Sequence, residues 1–240
     1  GRERAEYVIV HDPTFGPRTL PPSEVPAGFE TFNYNFDASA TMFWDKRAMA
    51  LAPNDVGSAE ITHWLENPAT HTPRGVERAY KKPLESRVWY QYEGQITSHG
   101  DDARLKKVGR ILSAGPPQVA QVTQYTRNQL GLVCTVTDPM GRETRFSYGD
   151  NSCVAGSGID LAKVEQKNGG VYDVVQSFSY NGQHLPLTST DGAGQTTTYT
   201  YNAAGQLATI TTPPRAGYPA NEDRTTTYTY DSNTGDLLSV

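Results

Sequence analysis

Several features that commonly announce a function are scarce in this chain. Of its 240 residues only two are cysteine, Cys134 and Cys153. Two thiols cannot complete a four-ligand zinc site and are too few for a disulfide scaffold. One bridge between them is open on sequence grounds, but two thiols packed as small hydrophobes are the simpler expectation. Basic residues are outnumbered, with 21 Lys and Arg against 26 Asp and Glu, for a net charge of -5. That balance argues against a nucleic-acid or anionic-membrane binder, which would carry a basic field. No apolar run approaches the roughly 18 residues of a membrane span. Hydrophobic residues make up only 36%, so the core should be thin. No Asn-Xaa-Ser/Thr acceptor occurs, and no signal peptide is visible. The chain opens on Gly1-Arg2-Glu3 without Met and stops at Leu238-Ser239-Val240 inside an expected strand, so a fragment of a longer protein is expected.

What is abundant points one way. There are 14 Tyr against 7 Phe and 3 Trp, and threonine runs at Thr196-Thr197-Thr198 and Thr225-Thr226-Thr227. Tyr and Thr favour strands and are poor interior helix residues. The aromatic and β-branched content also argues against disorder, despite 22 Gly and 16 Pro. The fold class expected is all-β.

The second half repeats. Tyr199-Thr200-Tyr201-Asn202-Ala203-Ala204-Gly205-Gln206-Leu207 aligns with Tyr228-Thr229-Tyr230-Asp231-Ser232-Asn233-Thr234-Gly235-Asp236-Leu237, with Phe178-Ser179-Tyr180-Asn181-Gly182-Gln183 and with Phe146-Ser147-Tyr148-Gly149. A second block, Thr137-Asp138-Pro139-Met140-Gly141-Arg142-Glu143-Thr144, matches Thr190-Asp191-Gly192-Ala193-Gly194-Gln195-Thr196-Thr197. Each unit reads as a hairpin. Thr197 to Tyr201 alternates with period two, Asn202 can bond its own downstream backbone, and Gly205 can take the positive φ of a bulged turn. Asn181-Gly182 reads instead as a tight two-residue turn. Pro213-Pro214 ends the strand before it. One hairpin cannot fold alone, so successive units should stack into a continuous antiparallel sheet. The structural anchors of that sheet are Tyr148, Tyr180, Tyr201 and Tyr230, with Asn202 and Asp231 opening turns and Gly141, Gly194, Gly205 and Gly235 permitting them.

This pattern, Tyr-Asp/Asn-x-x-Gly-x-Leu followed by a Thr-rich segment and Asp-x-x-Gly-x-Thr-Thr-x-Tyr, resembles the YD repeat of bacterial RHS-repeat proteins, of teneurins and of the cocoon components of insecticidal toxin complexes. Residues 125 to 240 carry it most clearly. Arg87-Val88-Trp89-Tyr90-Gln91-Tyr92-Glu93-Gly94-Gln95 and Gly109-Arg110-Ile111-Leu112 look like a divergent unit leading into it. Asn replaces the named Asp at Asn181 and Asn202, Gly149 replaces it once, and Tyr230-Asp231 is literal. The resemblance implies a spiralling sheet that closes as a shell around a C-terminal toxin or effector, in a protein that is secreted or at the bacterial surface. About a dozen strands spaced about 4.8 Å apart make a wall on the order of 55 Å across, not a closed container. The expected partners are the rest of that shell and its cargo. The alternative is a recognition module that binds glycans or proteins through exposed aromatics.

The domain reading is residues 1–120 as a divergent β-rich part and 121–240 as the repeat sheet. In the first part, Ala5 to His11 reads as a strand, Asp12 to Gly28 as a loop, and Phe29 to Phe36 as an aromatic-rich strand. Ala59 to Glu66 is read as a strand in preference to a helix capped by Ser58. Val76 to Lys82 and Ser86 to Tyr92 read as further strands. Taken alone, the piece would have open sheet edges and is expected to self-associate.

No catalytic, cofactor or metal constellation emerges. His63 and His71 lack the spacing of a helix-borne zinc pair. His11, His99 beside Asp101-Asp102, and His184 are isolated. Gly156-Ser157-Gly158 lacks the strand-to-helix setting of a nucleophile elbow, and Gly192-Ala193-Gly194 reads as a turn. Asp150 and Asp160 read as loop acids. Lys81-Lys82 and Arg104 with Lys106-Lys107 read as solvated faces. Asp138-Pro139-Met140-Gly141 resembles the aspartate motif near which some shells of this family cleave themselves, but the equivalent slot in the next unit, Asp191-Gly192-Ala193-Gly194, is an ordinary turn. No enzyme activity and no cofactor are therefore expected.

Overall fold

The computed structural model describes residues 19–33, 39–52, 55–149, 153, 158–214 and 224–240. The expected strand at Ala5 to His11, with His11, Asp150 and the Gly156-Ser157 pair, lies outside them. The first fourteen strands follow one another in sequence order in one sheet, and every pairing described below is antiparallel. Contacts divide the chain into two compact units: residues 1–125 with 137–141, and residues 126–136 with 142–240.

The first unit holds β1 (Ala40–Phe43), β2 (Glu60–Glu66), β3 (Pro73–Lys81), β4 (Val88–Tyr92), β5 (Leu105–Ser113) and most of β6 (Val119–Arg127). Here lie most of the buried apolar side chains among the described residues. Val25, Phe29, Phe32, Ala79 and Trp89 form one cluster, and Ala40, Trp44, Ala59 and Ile61 another. Strand was the right reading for Ala59 to Glu66: β2 alternates, with Ile61, His63 and Leu65 on the buried face. Of the aromatic strand expected over Phe29 to Phe36, residues 34–36 lie outside the described residues, and the described part is no strand: Glu30–Phe32 is a turn of 3-10 helix. Its three-residue spacing puts Phe29 and Phe32 edge to face with centroids 6.4 Å apart, and both rings enter the core. The Glu30 carboxylate holds the Gly28 N–H at 2.9 Å, fixing the turn's entry. A short helix, α1 (Lys46–Leu51), was also not anticipated; Asp45 caps it by accepting from the Ala48 N–H at 2.7 Å.

The second unit holds β7 (Val133–Thr137, all but its last residue), β8 (Glu143–Tyr148), β9 (Leu161–Asn168), β10 (Val171–Tyr180), β11 (Pro186–Asp191), β12 (Thr196–Tyr201), β13 (Leu207–Thr212) and β14 (Arg224–Thr227). The last hairpin, β15 (Thr229–Tyr230) with β16 (Leu237–Ser239), forms a separate two-stranded sheet and so interrupts the continuity expected from the repeat. It still meets β13, because the Tyr228 N–H donates to the Ala208 carbonyl at 2.8 Å.

This unit is thin, as a sheet built from Thr and Tyr must be. In β12, Thr196, Thr198 and Thr200 are exposed while Thr197, Tyr199 and Tyr201 are half-buried. The exposed face is crossed by hydroxyl pairs between neighbouring strands: Ser179 with Thr188 at 2.6 Å, Thr190 with Thr196 at 2.8 Å, Thr200 with Thr209 at 2.7 Å and Thr211 with Thr225 at 2.9 Å. Such cross-strand pairs each contribute roughly 0.2–1 kcal/mol. Cys134 of β7 and Cys153 are both buried and are joined as a disulfide, correcting the expectation of two free thiols. Sequence could not decide this, because the bridge depends on a Cα separation of 5.4 Å set by tertiary structure.

Candidate functional site

The turn chemistry comes first. At Asn202–Gln206 the Asn202 side-chain oxygen accepts from the N–H groups of Ala204 and Gln206, both at 3.0 Å. The Gly205 N–H donates to the Asn202 carbonyl, and the Asn202 N–H to the Gln206 carbonyl. Gly205 has φ +79°, a conformation that Cβ disfavours. Asp191–Gln195 repeats every one of these bonds, with Gly194 at φ +81°. Asp231 opens its turn the same way, accepting from Asn233 and Thr234, with Gly235 at φ +77°.

The turn at Asn181 is a correction. It is not a two-residue hairpin: His184 donates its N–H to the Asn181 carbonyl, and Asn181 its own to Leu185. His184 occupies the glycine position with φ +62°, while Gly182 takes no positive φ. Two substitutions separate the readings. Gly205→Ala is expected to cost about 1–2 kcal/mol, because its backbone is left-handed. Gly182→Ala is expected to cost nothing, having open space around its Cβ position. Urea unfolding of the two variants checks this; equal losses would contradict it.

Next come the tyrosines. Tyr148, Tyr180, Tyr201 and Tyr230 each end a strand at a register shift, paired respectively with Leu161, Pro186, Leu207 and Leu237. Each hydroxyl then reaches back one hairpin. Tyr180 donates to the Leu161 carbonyl at 3.0 Å, Tyr201 to Pro186 at 2.7 Å and Tyr230 to Leu207 at 2.9 Å. The residue that pairs with one tyrosine thus accepts the hydroxyl of the next. Tyr148 starts the series on the Val133 carbonyl at 3.1 Å. Burial pushes the phenols of Tyr148, Tyr180 and Tyr201 upward, so they stay protonated donors. In the first unit Tyr92 ends β4 in the same way, at a register shift with Leu105, and donates to the Glu77 carbonyl. Its pKa is pushed up to about 12, chiefly by burial. Sequence reading marked that segment as a divergent unit but did not single out Tyr92. A strand-final Tyr before Glu93-Gly94 was the available signal.

The acids and histidines weighed for chemistry scatter into local roles. Asp138 accepts from the Met140 N–H at 2.9 Å and Gly141 closes the turn with φ +77°. Asp160 meets His184 Nδ1 at 2.8 Å, and Asp102 meets Arg104. His63 is buried, with Nδ1 3.1 Å from Arg87. His71 does not join His63; it meets His99, 2.7 Å between ring nitrogens, beside Glu66. No described helix is long and apolar enough to cross a membrane.

Comparison with known proteins places this geometry. Residues 180–213, from Tyr180 through the β12–β13 hairpin, match the family model of the RHS repeat. No curated protein matches the chain. Among solved structures, it is similar to TcdB2-TccC3-TEV, with 16% identity over 83% of this chain and a TM-score of 0.49. It is also similar to TcdB2-TccC3 without its hypervariable C-terminal region, with 16% identity over 80% of this chain and a TM-score of 0.48. The chain spans 9% and 10% of those two chains. Residues 180–213 thus match an RHS repeat, and that stretch holds two consecutive members of the tyrosine series, Tyr180 and Tyr201.

Proposed function

We propose that the chain is a wall segment of an RHS-repeat shell that encloses a C-terminal toxin or effector within a longer protein, and that it has no catalysis of its own. The observation that carries this reading is the tyrosine series. Each hairpin is tied to the one before by a hydroxyl–carbonyl bond, so the wall extends by adding identical joints. Such a device holds register and needs no reactive group. The alternative, glycan recognition through tyrosines, is less favoured because these hydroxyls are engaged inside the sheet. The disulfide fits assembly in an oxidising compartment, and so a secreted or surface location. The aspartates at 138 and 191 serve equivalent turns, which supports a structural role for Asp138 over self-cleavage. Proteolysis of the full-length parent tests the reading: a C-terminal segment protected until the wall is unfolded is expected, and equal digestion of both would overturn it.

A further inference from the structure

We infer that Glu66, His71 and His99 of the first unit form a binding site for a divalent transition metal of the zinc type. His99 Nε2 lies 3.0 Å from Glu66 Oε2 and 2.7 Å from His71 Nδ1. The three donor atoms lie within 4.8 Å of one another. A proton on His99 Nε2 can be aimed at the carboxylate or at the second ring, not at both. A divalent cation between them takes a lone pair from each. Bound to zinc at about 2.0–2.1 Å in tetrahedral geometry, such donors sit about 3.3 Å apart. Seating the ion requires the His71–His99 separation of 2.7 Å to open by about 0.6 Å, a movement open to the exposed His71 ring.

Two independent observations support a ligand set. The outer partners are those of a metal centre: Ser39 Oγ donates to Glu66 Oε1 at 2.7 Å, and Ser98 Oγ holds His99 Nδ1 at 3.1 Å, leaving Nε2 to ligate. Glu66 and both serines are buried. The second observation concerns the backbone of His71. The turn Asn67–Thr72 has the same bonds as Asp231–Asp236: Asn67 Oδ1 accepts from Ala69 and Thr70, His71 N–H donates to the Asn67 carbonyl, and Asn67 N–H to Thr72. The position that Gly235 fills in that turn is filled here by His71, at φ +55°. Turn geometry alone favours glycine there. His184 fills the equivalent slot of its own turn at φ +62°, so what distinguishes His71 is that its left-handed backbone sets the ring against His99, beside the buried Glu66 carboxylate.

The metal would join the turn after β2 to the loop before β5. Three protein ligands and an exposed His71 leave a fourth position for water. The test is equilibrium dialysis of the 240-residue chain against Zn2+, with Co2+ as a spectroscopic probe of nitrogen ligation. One bound ion is expected, with visible Co2+ absorption. His99→Ala and His71→Gly should each weaken binding at least tenfold. His71→Gly matters most, because it relieves the backbone while removing a ligand; it should fold at least as stably in the absence of metal. His184→Ala, at a histidine outside the cluster, should bind as the wild type does. No stoichiometric binding to the wild type would overturn the site and leave a proton-bridged pair. Binding unchanged in His71→Gly and His99→Ala, or lost equally in His184→Ala, would overturn it too.

Discussion

Reduction of the Cys134–Cys153 bond is expected to destabilise the second unit by about 3 kcal/mol. The bridge spans a sequence separation of 19. In the chain-entropy account, opening a loop of about that size returns roughly 3 kcal/mol of freedom to the unfolded state. The effect is large for this unit because little else is fully buried there. Its described strands offer mostly half-covered side chains, and Cys134 of β7 and Cys153 are themselves among its few buried residues. The measurement is urea unfolding with and without reductant, followed by far-ultraviolet circular dichroism. A lower midpoint with unchanged slope is expected. The Cys134→Ala/Cys153→Ala double variant should show the same loss and no further response to reductant. Superimposable curves for the oxidised and reduced wild type would contradict the account.

The second large effect concerns the tyrosine series. Replacing Tyr148, Tyr180, Tyr201 and Tyr230 together by Phe removes four hydroxyl donors and keeps the rings. Each bond is worth roughly 0.5–1.5 kcal/mol net. The four sites lie in successive hairpins, so their losses should nearly add, to about 4 kcal/mol. Tyr199→Phe is the control, since its hydroxyl takes no part in the series. Single variants should each lose about 1 kcal/mol and the quadruple variant should lose the unit's cooperative transition. A quadruple variant as stable as Tyr199→Phe would show that the rings alone hold the hairpins.

What the sequence made legible, and what it did not, divides along the range of the interactions. The hairpins around Asn202 and Asp231 are local: alternating Thr and Tyr, an Asx side chain that bonds its own turn and a glycine for the left-handed position all lie within ten residues. The same local logic misjudged Asn181-Gly182, because His184 takes the left-handed conformation that glycine usually supplies. Glu30–Phe32 became helical because the Phe29 and Phe32 rings are drawn into one core, a demand that local strand preference does not contain. The tyrosines could be found, but not what their hydroxyls reach, since each acceptor lies 15 to 23 residues away across a neighbouring strand. The Glu66–His71–His99 cluster was least visible. His71 and His99 are 28 residues apart and meet because the loop after Tyr92 folds back on the end of β2, where the Glu66 N–H donates to the Ser98 carbonyl.

The central claim is that tyrosine-tied hairpins build a wall whose work is enclosure. Electron cryomicroscopy of the full-length parent protein tests it most directly. The account predicts a hollow β-shell with residues 161–239 in its wall, successive hairpins in sequence order and density for a chain segment inside. A parent without a lumen, or with these hairpins dispersed among separate domains, would contradict it.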